Sequence, residues 1–128
     1  MVTQALEISQ LLLVFTHYTS FSLEPPEIVP FTFGDVAINQ GDFGQLLCTI
    51  RRGDEPLTIT WSLKGAKLNS GPDVMTTMLG TRTSMLTIAS VSYHHIGEYT
   101  CRATNPAGSR TFSTELRVNG NPQVIKRH

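Results

Sequence analysis

Net charge is missing from this chain. Its 128 residues carry 10 basic and 10 acidic side chains, which cancel at neutral pH. Such a balance gives no general electrostatic grip on nucleic acid or on an anionic membrane. Long apolar runs are missing too. The stretch Leu11-Leu12-Leu13-Val14-Phe15 is too short to span a bilayer. There is no glycine-rich phosphate loop and no nucleophile elbow. The carboxylates are scattered over turns, and the Ser and His residues form no ordered triad. No aromatic-plus-basic platform for single-stranded nucleic acid is present. These absences leave no enzyme, cofactor or nucleic-acid partner to expect. No Asn-x-Ser/Thr sequence occurs either, so no N-linked glycan is expected to cover the surface. Cysteine is scarce, with two residues, and tryptophan scarcer, with one.

Those rare residues organise what is there. Trp61 lies between Cys48 and Cys101, and Tyr99 stands two positions before the second cysteine. Around Cys48, the residues Leu46, Cys48 and Ile50 alternate with Gln45, Leu47 and Thr49. Around Trp61, Ile59, Trp61 and Leu63 alternate with Thr58, Thr60 and Ser62. Around Cys101, Tyr99, Cys101 and Ala103 alternate with Thr100 and Arg102. A strand turns successive side chains to opposite faces, so each set of alternates is one inward row. Three such rows describe an all-β sandwich of two sheets, with an indole packed on a bridge between them. Two cysteines are compatible with free thiols or with one bridge. Both pointing into one core favours the bridge, which would constrain the unfolded chain by ~4 kcal/mol in the chain-entropy model. A content of 40% hydrophobic residues fits an ordinary globular chain, and the length fits one domain.

Residues 1 to 22 stand apart. The apolar run followed by Ser20-Phe21-Ser22 reads as a secretory leader, although no Lys or Arg precedes it. Pro25, Pro26 and Pro30 frame Glu27-Ile28-Val29. Proline removes a ladder donor, so this is an edge strand able to break and switch sheets. Val36 and Ile38 are expected to carry its second half. A strand follows over 43 to 50, and Arg51 to Pro56 reads as a solvated charged turn. The next strands are expected from about Leu57 to Leu63, over 73 to 79, and through Leu86 and Ile88, which point inward. Asn105-Pro106-Ala107-Gly108 is a hairpin turn. Phe112, Thr114, Leu116 and Val118 then form one face of the last strand. Residues 119 to 128 read as a linker stub, leaving 25 to 118 as the domain.

At Gly97-Glu98-Tyr99-Thr100-Cys101, with Ala103, Asn105 and Gly108, the chain resembles the intermediate (I) set of the immunoglobulin superfamily. The resemblance covers residues 25 to 118. It implies a two-sheet immunoglobulin-like sandwich with one inter-sheet disulfide, Cys48 to Cys101, and a core built on Trp61, Leu86 and Tyr99. Many members hold an Asp two residues before the glycine, paired with an Arg at the base of the fourth strand. Here His95 takes the Asp position, and Arg82 is the available Arg. The adjacent His94 and His95 face opposite ways on an extended chain, so they do not share a metal ion.

Pro25 to Phe31 and Gly53 to Trp61 look more closely like the variable immunoglobulin domain of arthropod Down syndrome cell adhesion molecules. The match is to the seventh domain, or to the N-terminal domain of the shortened chelicerate forms. That resemblance implies an extracellular module that recognises a like domain, pairing antiparallel across the sheet lettered A-B-E-D in the family. The outward positions of that sheet are Gln45, Leu47, Met75, Thr77, Met85 and Thr87. Leu47, Met75 and Met85 are apolar where water is expected, which marks a partner surface. The rival expectations are a spacer, a ligand-binding domain of another extracellular receptor or immune protein, and an intracellular muscle-type domain with reduced cysteines.

Overall fold

Alternation becomes a ladder wherever one row of side chains can leave water. In β3 (Gly44–Arg52), Leu46, Cys48 and Ile50 are buried while Gln45 and Leu47 are exposed. The computed structural model describes residues 23–120. The expected leader and residues 121–128 lie outside that range. The first sheet runs in the order β1 (Glu27–Ile28), β3, β7 (Thr83–Ile88), β6 (Val74–Leu79). The second runs β5 (Ala66–Lys67), β4 (Thr58–Leu63), β8 (Gly97–Asn105), β9 (Gly108–Leu116). A parallel pair, β2 (Ile38–Asn39) with β10 (Val118–Asn119), closes one end. The chain is therefore an all-β sandwich, as the alternating rows require.

The core joins the two sheets in three ways. Cys48 and Cys101 are bonded across them, 53 residues apart in sequence and 6.4 Å between Cα atoms. Trp61 pairs with Cys101 in the ladder, and its Nε1–H donates to Ser84 Oγ on the other sheet at 2.9 Å. Leu86 is fully buried on β7 beside that hydroxyl's row. Tyr99 is fully buried, and its hydroxyl donates to the His95 carbonyl at 2.7 Å.

The first strand breaks for the reason its prolines suggest. The Val29 N–H donates to the Thr49 carbonyl, and Pro30 then has no N–H to continue the ladder. The chain turns into the gap between the sheets. Phe31 packs edge-on against Trp61 and Phe112, with ring centroids 5.5 and 4.9 Å away. Phe33 does the same against Tyr99 at 5.3 Å.

Three expectations need correction. Val36 carries no strand; it lies in a bend at 78% exposure, and the returning strand is only Ile38–Asn39. Gly34, at φ 119°, and the bends at Asp35 and Val36 hold the chain off its partner until Ile38, whose N–H donates to the Arg117 carbonyl at 2.9 Å. Arg51 and Arg52 are the last rungs of β3, not part of a free turn. Nor is the turn beyond them simply solvated: Asp54 N–H donates to the Glu24 carbonyl at 3.2 Å, and Asn105 Nδ2 donates to the carbonyls of both Glu24 and Asp54. Gly53 makes this knot possible, since a Cβ there would stand 2.8 Å from Pro26 Cα. Asn119, where the expected stub begins, is the last residue of β10. It pairs with Asn39, and its carbonyl accepts from Gln40 N–H.

Candidate functional site

The outer face of the β1-β3-β7-β6 sheet is built from cross-strand rows. Gln45 stands opposite Thr87, and Thr87 opposite Met75. In the next row, Leu47 stands opposite Met85, and Met85 opposite Thr77. The structure thus brings the six candidate partner-binding residues into two adjacent rows. A third row, Thr49, Thr83 and Leu79, continues the face. All six residues of β6 pair with β7, so the outer strand is regular.

Exposure singles out the apolar members. Leu47 is 44% exposed, Met75 50% and Leu79 48%. Met85 is half-buried, because Gln45 Nε2 reaches across to its Sδ at 2.8 Å. Two residues of this face were missed by sequence reading. Leu79 shares the outward parity of Met75 and Thr77, and Phe43, 57% exposed, precedes Gln45 with the same parity. Continuing the count by twos, from Gln45 back to 43 and from Thr77 on to 79, reaches both. None of the nine positions in the three rows is ionisable.

The opposite sheet is a natural contrast. Its outward rows pair Glu98 with Glu115, Thr100 with Ser113, Arg102 with Thr111 and Thr104 with Ser109. On β4 the outward positions are Thr58, Thr60 and Ser62. That face carries hydroxyls and charges and no apolar side chain. It is an ordinary wet surface, and the two faces of the sandwich are chemically distinct.

The edge strand β6 is held at two points. Ser70 Oγ accepts from Thr76 N–H at 3.0 Å and donates to the Thr76 carbonyl at 3.2 Å, so a side chain occupies part of the open edge. At its base, Asp73 Oδ1 lies 2.9 Å from His95 Nε2. Ser92 N–H donates to His95 Nδ1 at 2.9 Å, which places the ring proton on Nε2, donating to Asp73. Here the structure corrects the expected pairing. Arg82 sits at the far end of β7's entry turn, donating to the Ile50 and Gly53 carbonyls at 3.0 and 2.9 Å. Residue 95 is a donor and residue 73 an acceptor, so the polarity of the family's contact is inverted. Asp73 also bears on Tyr99: burial pushes the Tyr99 phenol well above its ordinary range, and the Asp73 charge adds to the rise.

The histidine pair lies in a single 3-10 turn, Tyr93–His95, not on extended chain, and its two rings are engaged separately. Both His95 nitrogens are engaged, while His94 stacks on Tyr93 with centroids 4.4 Å apart. Among the described residues, no group of three metal-ligating side chains converges. None of their helices is long and apolar enough to cross a membrane.

The immunoglobulin I-set domain model matches residues 26–118. The cell adhesion molecule Dscam1 of Drosophila melanogaster is 43% identical over 102 residues, covering 79% of this chain and 5% of that protein. The crystal structure of the Dscam1 Ig7 domain, isoform 9, superposes with a TM-score of 0.71 at 42% identity, over 74% of this chain and 100% of that one. Isoform 5 of the same domain gives a TM-score of 0.72 at 39% identity, over 73% of this chain and 96% of that one. The chain spans about one-twentieth of the length of the curated relatives it matches, 5% in the case of Dscam1. With an inverted contact at residues 73 and 95 but the bridge, indole and tyrosine all in place, the chain is an immunoglobulin I-set domain of the kind found in Dscam cell adhesion molecules.

Proposed function

We propose that this domain is the extracellular recognition module of a cell adhesion molecule, and that it pairs with a like domain, antiparallel, through the outer face of the β1-β3-β7-β6 sheet. The observation that carries this reading is the uncharged, partly apolar block of three rows on one sheet, set against a polar and charged face on the other. Depletion of charge with exposed methionine and leucine is the signature of an interface centre. The disulfide supports an oxidising, extracellular location. Similarity to cell adhesion molecules supports the adhesive role.

The three rows span roughly 300 Å², from three strand spacings and six residues of rise. Even with a rim, that is at the small end for a specific complex. Pairing by one domain is therefore weak and reversible. Repeated weak contacts suit an adhesion molecule, because linked modules raise avidity without new chemistry. Sedimentation velocity on the chain, from low to high micromolar concentration, tests the reading. A rising dimer fraction is expected. A strict monomer at high micromolar concentration overturns pairing by this domain.

A further inference from the structure

The register of that pairing can be read from the rows, on the premise that the face pairs with itself. We propose that the two-fold axis lies in the interface and crosses the strands at the row Leu47, Met85, Thr77. In a face-to-face antiparallel pair with such an axis, each strand lies over its own copy and runs the other way. Residues on the axis meet themselves. A residue two positions before the axis meets the residue two positions after it on the same strand.

With the axis on this row, the chemistry matches throughout. Leu47 meets Leu47 of the second copy and Met85 meets Met85. Met75 meets Leu79, the two exposed apolar residues of β6 with outward parity. Gln45 meets Thr49, and Thr87 meets Thr83, so the polar positions also face one another. Four positions out on β3, Phe43 meets Arg51. An exposed ring beneath a guanidinium is a favourable cation–π pair. Arg51 is the flanking charge of the face, anchored at 3.6 Å on Glu27 of β1.

Other registers spoil the match. Moving the axis half a row sets Gln45 on Leu47, Thr87 on Met85 and Met75 on Thr77, so each of these apolar side chains desolvates a polar one. Moving it a full row, to Gln45, Thr87 and Met75, keeps Leu47 covered by Phe43. It carries Met85 past the end of β7 onto the small side chain of Ala89, puts Thr77 on the charged Asp73, and leaves Leu79 over Gly71, which has no side chain to cover it. Moving it a full row the other way, to Thr49, Thr83 and Leu79, puts Leu47 on Arg51 and Met85 on Thr81. Turning the axis along the strands makes the pair parallel and lays β3 over β6. Gln45 then meets Met75, Leu47 meets Thr77 and Thr49 meets Leu79. Antiparallel pairing about the Leu47–Met85–Thr77 row is the arrangement in which the sorting is complete.

Facing sheets stand about 10 Å apart, so a short bismaleimide reports which residues oppose each other. In the full chain, Met85→Cys and Thr77→Cys should each crosslink to a covalent dimer on their own. Met75→Cys and Leu79→Cys should each crosslink poorly alone, and at least five-fold better when mixed. The native bridge is fully buried and does not compete. If the unsubstituted chain sediments as a dimer but Met75→Cys crosslinks alone while Met85→Cys does not, the axis assignment is overturned. A dimer in which none of these thiols crosslinks overturns it as well. A chain that never dimerises removes the premise instead, and sedimentation separates that case from the others.

Discussion

Leu47 faces Met85 directly across the β3–β7 ladder, on the side of the sheet that meets water. Between them the two side chains form an apolar step flanked on every side by Gln45, Thr77, Thr87 and Thr83. Neither contributes to the buried core, whose β3 and β7 members are Leu46, Cys48, Ile50, Leu86 and Ile88. Leu47→Asp and Met85→Asp should each abolish self-association, because both copies would bring the same charge to a desolvated centre. Each should cost less than about 1 kcal/mol of fold stability, the range of strand propensity at a surface position. Sedimentation and urea unfolding measured on the same samples check the two halves together. A loss of several kcal/mol in folding would show these residues to be core.

Much of this fold was legible because burial and period agree. Leu46, Cys48 and Ile50 could be read as one inward row since nothing else competes for an alternating pattern in a strand. The face was legible for the same reason, and it stopped short only at Phe43 and Leu79, the end residues of the expected strands 43 to 50 and 73 to 79, to which the same alternation extends. What could not be read was set by partners distant in sequence. Val36 looked like strand, but the chain reaches its partner only at Ile38, which pairs with Val118, 80 residues away. His95 looked like a lost acid until Asp73 proved to be its acceptor, 22 residues away. No local pattern encodes that reversal, because either residue alone is unremarkable in its loop.

The indole and the hydroxyl that join the sheets make a sharper stability test. Ser84 is buried, and its Oγ is the acceptor for Trp61 Nε1–H. Ser84→Ala removes one oxygen and strands that N–H away from water. The cost should be about 1–3 kcal/mol. For a domain of this size that is a fall in melting temperature of roughly 4 °C or more. In a Trp61→Phe background the same substitution should cost much less, since no donor is left unpaired. Equal losses in both backgrounds, measured by thermal unfolding, would assign the effect to packing instead.

Alkaline pH acts through Tyr99. Its phenol is raised in the folded protein by burial first and by Asp73 second, whereas in the unfolded chain it titrates near its ordinary value of about 10. Below that value both states hold the proton, and the stabilising difference is fully present. Above it the unfolded chain loses the proton while the folded one keeps it, so stability falls as pH rises towards the folded value. The slope contributed by this one group approaches about 1.4 kcal/mol per pH unit. Tyr99→Phe should lower stability at neutral pH by about 1 kcal/mol through the lost bond to the His95 carbonyl. It should also flatten the decline between about pH 10 and 11. Urea midpoints of both proteins across that range decide it; parallel curves would place the alkaline sensitivity elsewhere.

The inverted contact at the base of β6 can be turned back. His95 is 4% exposed and Asp73 is open to solvent, so the buried partner is the one sensitive to charge. His95→Asp alone sets a buried carboxylate beside Asp73 and should cost at least about 2 kcal/mol. Asp73→Arg alone removes the acceptor for His95 Nε2–H at an exposed position and should cost about 1 kcal/mol. Combined, the two substitutions restore an acid at residue 95 with a base at residue 73, the polarity expected from the family resemblance. The double variant should therefore be more stable than His95→Asp, with a coupling of at least about 1 kcal/mol in a double-mutant cycle. Because this contact anchors the strand that carries Met75, Thr77 and Leu79, self-association should weaken in His95→Asp and return in the double variant. Additive losses in unfolding, with no recovery of the dimer, would show that Asp73 and His95 meet without holding β6 in place.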